Sequence, residues 1–283
     1  MKTGLVLEGG AMRGMFTAGV LDVFMENGIT FPGVIGVSAG AVFGCNLKSN
    51  QPGRVIRYNT TYSRDPRYVS LRSLITTGDL YGEQFCYHEL PDKLDPFDYE
   101  TFANAPMEFY VVATDVTTGK PVYHLCGTNG KKELQWLRAS ASMPVVSRVV
   151  EVDGHSLLDG GVADSVPLQY FETLGYKRNV VVLTQPAEYR KKKSRLAPLM
   201  KLALRKYPRL AEVMARRHEE YNKTIEYIRS REETGAVLVI RPEESLGISR
   251  TERDPDKLRA VYALGRKAAE AKLEEVRAFL QKE

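Results

Sequence analysis

The chain has 283 residues, 43% hydrophobic and 27% charged, with a net charge of +5. That is an ordinary globular composition, long enough for one large α/β domain or two small ones around a substantial core. Three widely spaced cysteines, Cys45, Cys86 and Cys126, argue against a disulfide framework and against a zinc site, and favour a reducing, cytoplasmic setting.

Met1-Lys2 and the apolar residues that follow faintly resemble a signal peptide, but Glu8, two glycines and Arg13 break the run before any cleavage pattern. No stretch is long and apolar enough to predict a transmembrane helix. Gly4-Leu5-Val6-Leu7 reads as a short buried strand and Met15 to Met25 as a helix stopped by Asn27-Gly28. Between them lies a glycine loop, which exposes backbone N–H groups as a ready anion site. A dinucleotide fingerprint would need glycine where Ala11 stands, and a Walker loop would need a following Gly-Lys-Ser/Thr. Two readings stay open: a tight turn without chemistry, or an oxyanion hole built from Gly9, Gly10, Ala11, Met12, Arg13 and Gly14.

Phe31 to Ile35 reads as a second strand, and a helix starts at Ala39. Between them Gly36-Val37-Ser38-Ala39-Gly40 has the form of a nucleophile elbow, a sharp turn that lifts one hydroxyl clear of the backbone. Gly36 and Gly40 are needed where a side chain would meet the neighbouring strand or helix, and the helix N-terminus favours developing negative charge at Ser38. The plainer alternative is a strand-to-helix turn that simply prefers small residues.

Residues 49–106 are less regular. A helix is expected over 55–62, Pro91, Pro96 and Pro106 punctuate the rest, and seven aromatics follow in loose spacing: Tyr81, Phe85, Tyr87, Phe97, Tyr99, Phe102 and Phe109. They either fill a satellite core or wall a cap that receives an acyl chain. Glu108 to Thr114 and Pro121 to Leu125 read as paired strands, with Asp115 as a turn residue that bonds nearby backbone. Lys131 to Ser140 is helical; Ser140 and Ser142 are rival nucleophiles by composition, though neither sits on a glycine elbow. Asp153-Gly154 between apolar alternations predicts a two-residue hairpin. Its second strand delivers Asp159 beside Gly160 and Gly161, well placed to face a cleft. None of His88, His124, His155 and His218 occupies the late loop where an α/β-hydrolase keeps its histidine.

The three blocks Gly9-Gly10-Ala11-Met12-Arg13-Gly14, Gly36-Val37-Ser38-Ala39-Gly40 and Asp159-Gly160-Gly161 resemble, in order, the motif blocks of the patatin-like phospholipases, over roughly residues 4 to 172. Ala-Thr-Asp-x-x-Thr-Gly at 113–119 is similar to that family's pattern as well. Ala11 departs from it, where glycine is frequent. The resemblance implies a three-layer α/β/α patatin-like fold with a central, mostly parallel sheet. It implies Ser38 as nucleophile and Asp159 as proton acceptor in a dyad, with no metal or other cofactor, hydrolysing carboxylic esters in lipids. A soluble esterase or thioesterase, and a catalytically silent membrane-surface protein of the same fold, are the alternatives.

The expected division is a core over 4–172 and an extension over 173–283 that completes the sheet and adds basic helices. Asn179 to Thr184 reads as a strand and Ala236 to Ile240 as an edge strand. Pro198 and Pro208 are expected to break the intervening region into short helices, and Leu258, Val261, Leu264, Leu273, Val276, Phe279 and Leu280 to face inward from a long final helix. The basic residues of 190–209, interleaved with leucines, make either solvated helices or a surface for anionic membrane. No nucleic-acid motif accompanies this charge, so no nucleic-acid partner is expected.

Overall fold

A computed structural model of the chain describes residues 2–281. The first two units repeat one plan. β1 (Lys2–Leu7) passes through a 3-10 turn at Ala11–Arg13 into α1 (Gly14–Glu26), and β2 (Gly33–Val37) turns at Ser38 into α2 (Ala39–Lys48). α3 (Arg54–Tyr62) and α4 (Leu71–Thr77) follow, the latter capped by the Ser70 hydroxyl, which accepts from the Ser73 N–H. A π-helical stretch, Phe85–Leu94, carries Pro91 inside it, and α5 (Tyr99–Asn104) is capped by Asp98. Neither was expected, because a widened turn and an internal proline erase the 3.6-residue repeat.

β3 (Glu108–Asp115) and β4 (Pro121–Leu125) form the expected hairpin, with Asp115 Oδ1 accepting from the Thr117 and Thr118 N–H groups. After α6 (Gly130–Ala141) come β5 (Val150–Val152) and β6 (His155–Asp159), joined by Asp153 and Gly154 at φ 51° and 78°. α7 (Leu168–Thr173), β7 (Tyr176–Val182), α8 (Ala197–Ala203), α9 (Pro208–Glu233), β8 (Val237–Ile240) and α10 (Pro255–Gln281) complete the chain. Pro198 and Pro208 do not break helices. They sit in the first turns of α8 and α9, where the missing N–H has no helical partner anyway, and α9 runs for 26 residues.

The strands make one sheet in the order β5-β6-β3-β2-β1-β7-β8, with β4 also paired to β3. From β3 through β8 every neighbour in that order is parallel; β4, β5 and β6 pair antiparallel. Strand side chains alternate between two cores. Leu5, Leu7, Val180 and Val182 pack toward α1, α2, α6 and α10, whereas Val6, Val181 and Val239 pack toward α7 and α9. The result is three layers, helix over sheet over helix. Among the described residues no helix is long and apolar enough to cross a membrane.

One register positions the site. β2 ends at Val37 opposite Val112 of β3, and β6 begins its pairing on β3 one residue later, with Asp159 opposite Ala113. β2 and β6 therefore abut end to end along the same edge of β3, so the residue after Val37 faces Asp159.

α10 crosses α1 at close range. A Cβ on Gly265 would lie 1.9 Å from the Phe16 carbonyl oxygen, and one on Gly19 2.2 Å from that of Tyr262. Leu264, expected to face inward, is exposed; Gly265 holds the contact instead. Gly265→Val is expected to destabilise the protein by about 3 kcal/mol in denaturant unfolding, because backbone cannot yield as a side chain can. A midpoint equal to the wild type would show that the crossing tolerates separation.

Candidate active site

Ser38 sits at φ 54° and ψ −123°, a conformation that costs a non-glycine residue about 1–3 kcal/mol. Its surroundings enforce it. A Cβ on Gly40 would come within 2.5 Å of the Leu7 carbonyl oxygen, so α2 packs directly on the end of β1 and the chain must turn within one residue. Gly36 lies against Gly40 and Ala41 on the strand side of the same turn. The Ser38 N–H donates to Ser140 Oγ at 2.8 Å, and that hydroxyl donates to the Val112 carbonyl at 2.6 Å. Ser140 thus ties the elbow to β3, which explains a serine at a position where composition alone suggested a rival nucleophile.

The Ser38 hydroxyl donates to Asp159 Oδ2 at 2.7 Å, and both residues are buried, 7% and 5% exposed. The other carboxylate oxygen accepts from the Gly161 N–H at 2.7 Å, where Gly160 begins a 3-10 turn. Thr114 Oγ1 donates to the Asp159 carbonyl at 2.8 Å, holding the strand end in place. Burial pushes the Asp159 carboxyl above its usual range. The bonds from Ser38 and Gly161 and the charge of Arg217 act in the opposite direction.

The glycine loop lies beside this pair. A Cβ on Gly9 would stand 3.0 Å from the Ser38 Cβ, and Gly14 packs on Ala39 and Phe43. The Met12 N–H donates to the Arg250 carbonyl at 3.4 Å and that of Arg13 to the Gly10 carbonyl at 3.2 Å. Met12 is therefore not a free donor. Among the described residues the N–H groups of Gly10 and Ala11 have no backbone acceptor. Ala11 adopts φ 49°, a region that favours glycine, which accounts for the glycine frequent there in the resembling family.

Two cavities meet at Ser38, sharing Ala11, Ser38 and Met143. The first is walled largely by apolar and aromatic groups, among them Val42, Phe43, Tyr81, Tyr87, Leu90 and Phe97. Of the middle-region aromatics, Phe85, Phe97, Phe102 and Phe109 belong to the main core rather than to a satellite one, and Phe97 also lines this cavity. Cys45 and Cys86 line it too, but burial pushes both thiols up, that of Cys45 to about 12, so neither competes as a nucleophile. The second cavity is more polar than the first and holds Glu8, Arg13, Asp159, Lys191, Arg217 and Arg250. Among the described residues no histidine lines either cavity.

Sequence spacing displayed no metal-ligand cluster, yet folding gathers one candidate group. Ligand atoms of His124, Cys126 and Glu133 lie within 4.8 Å of one another, because β4 runs out beside the start of α6. Their hydrogen bonds already account for the grouping: Glu133 pairs with His124 Nε2 at 2.6 Å and accepts from the Gly127 N–H at 3.1 Å. None of the three lines a cavity at Ser38.

A helix-flanked, mostly parallel sheet with a serine elbow at a strand's carboxyl end, bonded to an aspartate, defines an α/β protein of the patatin-like class. The chain belongs to the patatin-like phospholipase family, which matches it over residues 5–172. Residues 207–281 match a domain of unknown function (DUF6363). The chain is 30% identical over 192 residues to the uncharacterized protein YjjU of Escherichia coli (strain K12), covering 66% of this chain and 53% of that one. It is 27% identical over 167 residues to an uncharacterized NTE family protein of Mycobacterium bovis, covering 59% and 44%. To lysophospholipase nte1 of Aspergillus oryzae it is 24% identical over 184 residues, covering 62% and 11%. The chain spans about half the length, or less, of these curated relatives. Among solved structures it is similar to VipD from Legionella pneumophila, with TM-score 0.47 and 12% identity over 97% of this chain and 67% of that one.

Proposed function

We propose that the chain is a serine lipid acylhydrolase acting on carboxylic esters. The observation that carries this is the 2.7 Å bond from the strained Ser38 hydroxyl to buried Asp159. Ser38 attacks the ester carbonyl, and Asp159 takes its proton. The oxyanion rests on the Gly10 and Ala11 N–H groups, each worth about 10²–10³ in rate. Asp159 then protonates the leaving alcohol and activates the water that deacylates the enzyme. A carboxyl raised by burial suits this, since a stronger base shares its proton better near neutral pH. The acyl chain lies in the apolar cavity. Membership of the phospholipase family and the likeness to a lysophospholipase support lipid esters as substrates. In this reading residues 4–172 are the catalytic core and residues 173–283 an extension working on the same site. The test is turnover of p-nitrophenyl esters and phospholipid vesicles by wild type and Ser38→Ala. Turnover that vanishes in the variant is expected; wild-type inactivity on both substrates, or an active variant, would overturn the assignment.

The same chain presents a surface suited to anionic membrane over residues 190–209. Leu196, Leu199 and Leu202 on and beside α8 are 60%, 64% and 65% exposed. Lys192, Lys193, Arg195, Lys201 and Arg205 around them are exposed as well. Each leucine entering a bilayer contributes about 1.5–3 kcal/mol and each basic residue about 1 kcal/mol. Leu199→Asp with Leu202→Asp is expected to weaken sedimentation with anionic vesicles at least about 10-fold. Undiminished binding would place the contact elsewhere.

A further inference from the structure

The hydrolase reading uses the apolar cavity and the residues around Ser38, and leaves the basic wall of the second cavity without a task. Four basic side chains line it: Arg13 from the loop after β1, Lys191 beyond β7, Arg217 from α9 and Arg250 ahead of α10. Three of them lie outside the stretch that matches the patatin-like family. The two carboxylates that face them are already engaged. Glu8 accepts from the Thr184 N–H at 2.5 Å and hydroxyl at 3.0 Å, and from the Tyr221 hydroxyl at 2.7 Å. Asp159 accepts from Ser38 and Gly161.

None of the four cations makes a direct ion pair among the described residues, in a protein that pairs many of its surface charges. Arg13 Nε is buried with no hydrogen-bond partner, and Arg217 donates only its Nε, to the Gly161 carbonyl. Lys191 lies over the Tyr221 ring at 4.2 Å. Burial, then the charges of Arg217, Arg250 and Arg13, pull its amine down to about 7, with Glu8 acting in the opposite direction. Crowded like charges of this kind are relieved by a multivalent anion, and guanidinium forks match the oxygens of a phosphate. The cavity also fixes the source of that phosphate. It meets the apolar cavity at Ser38, and Met200 of α8 lines it, on the helix whose Leu199 and Leu202 are exposed. A head group held there leaves its acyl ester at the nucleophile and its tail among the aromatics.

We propose that the Arg13–Lys191–Arg217–Arg250 cavity receives the doubly charged phosphate of an acyl glycerophosphate, selecting lipids with a bare phosphate over choline-capped or uncharged ones. This rests on the hydrolase reading, since it places the ester at Ser38. The test is equilibrium binding to the Ser38→Ala protein, which needs no turnover. The probes are lauroyl glycerol phosphate, lauroyl glycerophosphocholine, monolauroyl glycerol and inorganic phosphate, each below its micelle concentration. The bare phosphate lipid is expected to bind at least about 10-fold more tightly than the other two lipids. Lys191→Ala with Arg250→Ala is expected to weaken it about 100-fold, about 10-fold for each lost charge-assisted contact. Arg250→Lys, which keeps the charge, is expected to lose about 10-fold or less, and raised salt to erode the preference throughout. Equal affinity for the three lipids, or a preference that survives the double variant, overturns the proposal. Inorganic phosphate binding as tightly as the lipid assigns the cavity to a free anion and overturns it too. Failure of the hydrolase reading is seen separately, as wild-type protein that cleaves none of these esters.

Discussion

Asp159→Asn is expected to lower kcat on a carboxylic ester by about 10⁴-fold, close to the upper range for removal of a general base. The amide has nearly the shape of the carboxylate, so it can still sit between the Ser38 hydroxyl and the Gly161 N–H. It cannot take the serine proton. KM is expected to change little, because neither cavity loses volume and substrate binds before the proton moves. The pH profile carries a second expectation. In the proposed mechanism Asp159 acts only when ionised, and burial raises its pKa. The acid limb of kcat/KM, which reports the free protein, should therefore fall at a pH above the range of an ordinary aspartate. A limb near the ordinary value of 3.8 would mean that the group titrating is not this buried one. If Asp159→Asn keeps more than about a tenth of wild-type kcat, a different group serves as the base.

The same shift has a sign for stability. A carboxyl with a raised folded-state pKa contributes stability below its unfolded value and loses that contribution as pH rises through the folded one. Ionising Asp159 is thus a cost of burial, offset by Ser38, the charge of Arg217 and Gly161. Replacing it by asparagine relieves that cost and also removes the charge facing Arg217. Thermal unfolding near neutral pH is therefore expected to stay close to wild type, which separates lost chemistry from lost fold.

Part of this site was legible because backbone geometry leaves local marks. The elbow needs glycine at 36 and 40 for close packing, and the hairpin to Asp159 needs Asp153-Gly154 at its turn. Those demands fall within a few residues, so spacing displays them. The pairing of Ser38 with Ser140 spans 102 positions and depends on where α6 lies over β3. The abutment of β2 and β6 along β3 is a register, and no pattern within either strand announces it. Nothing local in the sequence joins Lys191, Arg217 and Arg250; only the return of α9 and the segment before α10 to the glycine loop gives them a shared cavity. The fold divides likewise. The parallel units near the N-terminus follow from hydrophobic period, whereas the glycine crossing of α1 and α10 turns the expected Leu264 outward.

Ser140→Ala is expected to lower kcat about 10²-fold without changing which serine reacts. Its hydroxyl accepts from the Ser38 N–H and donates to the Val112 carbonyl, and the residue is fully buried. Alanine leaves both backbone groups without that partner, at about 1–3 kcal/mol for each. The elbow can restore their bonds only by moving, and a shift of about 1 Å at a nucleophile costs about 10² in rate. With Ser38 as the proposed nucleophile, Ser140 would act through it, so the loss should appear in kcat with KM nearly constant. Fluorophosphonate should still label Ser38 in the variant, more slowly. Ser140→Thr keeps the hydroxyl and is expected to recover most of the activity, despite a methyl group added to a packed site. Labelling that disappears with Ser140 while Ser38→Ala still labels would make Ser140 the nucleophile. Ser140→Ala with wild-type kcat would show that packing of Gly36 and Gly40 holds the strained turn without the bridge.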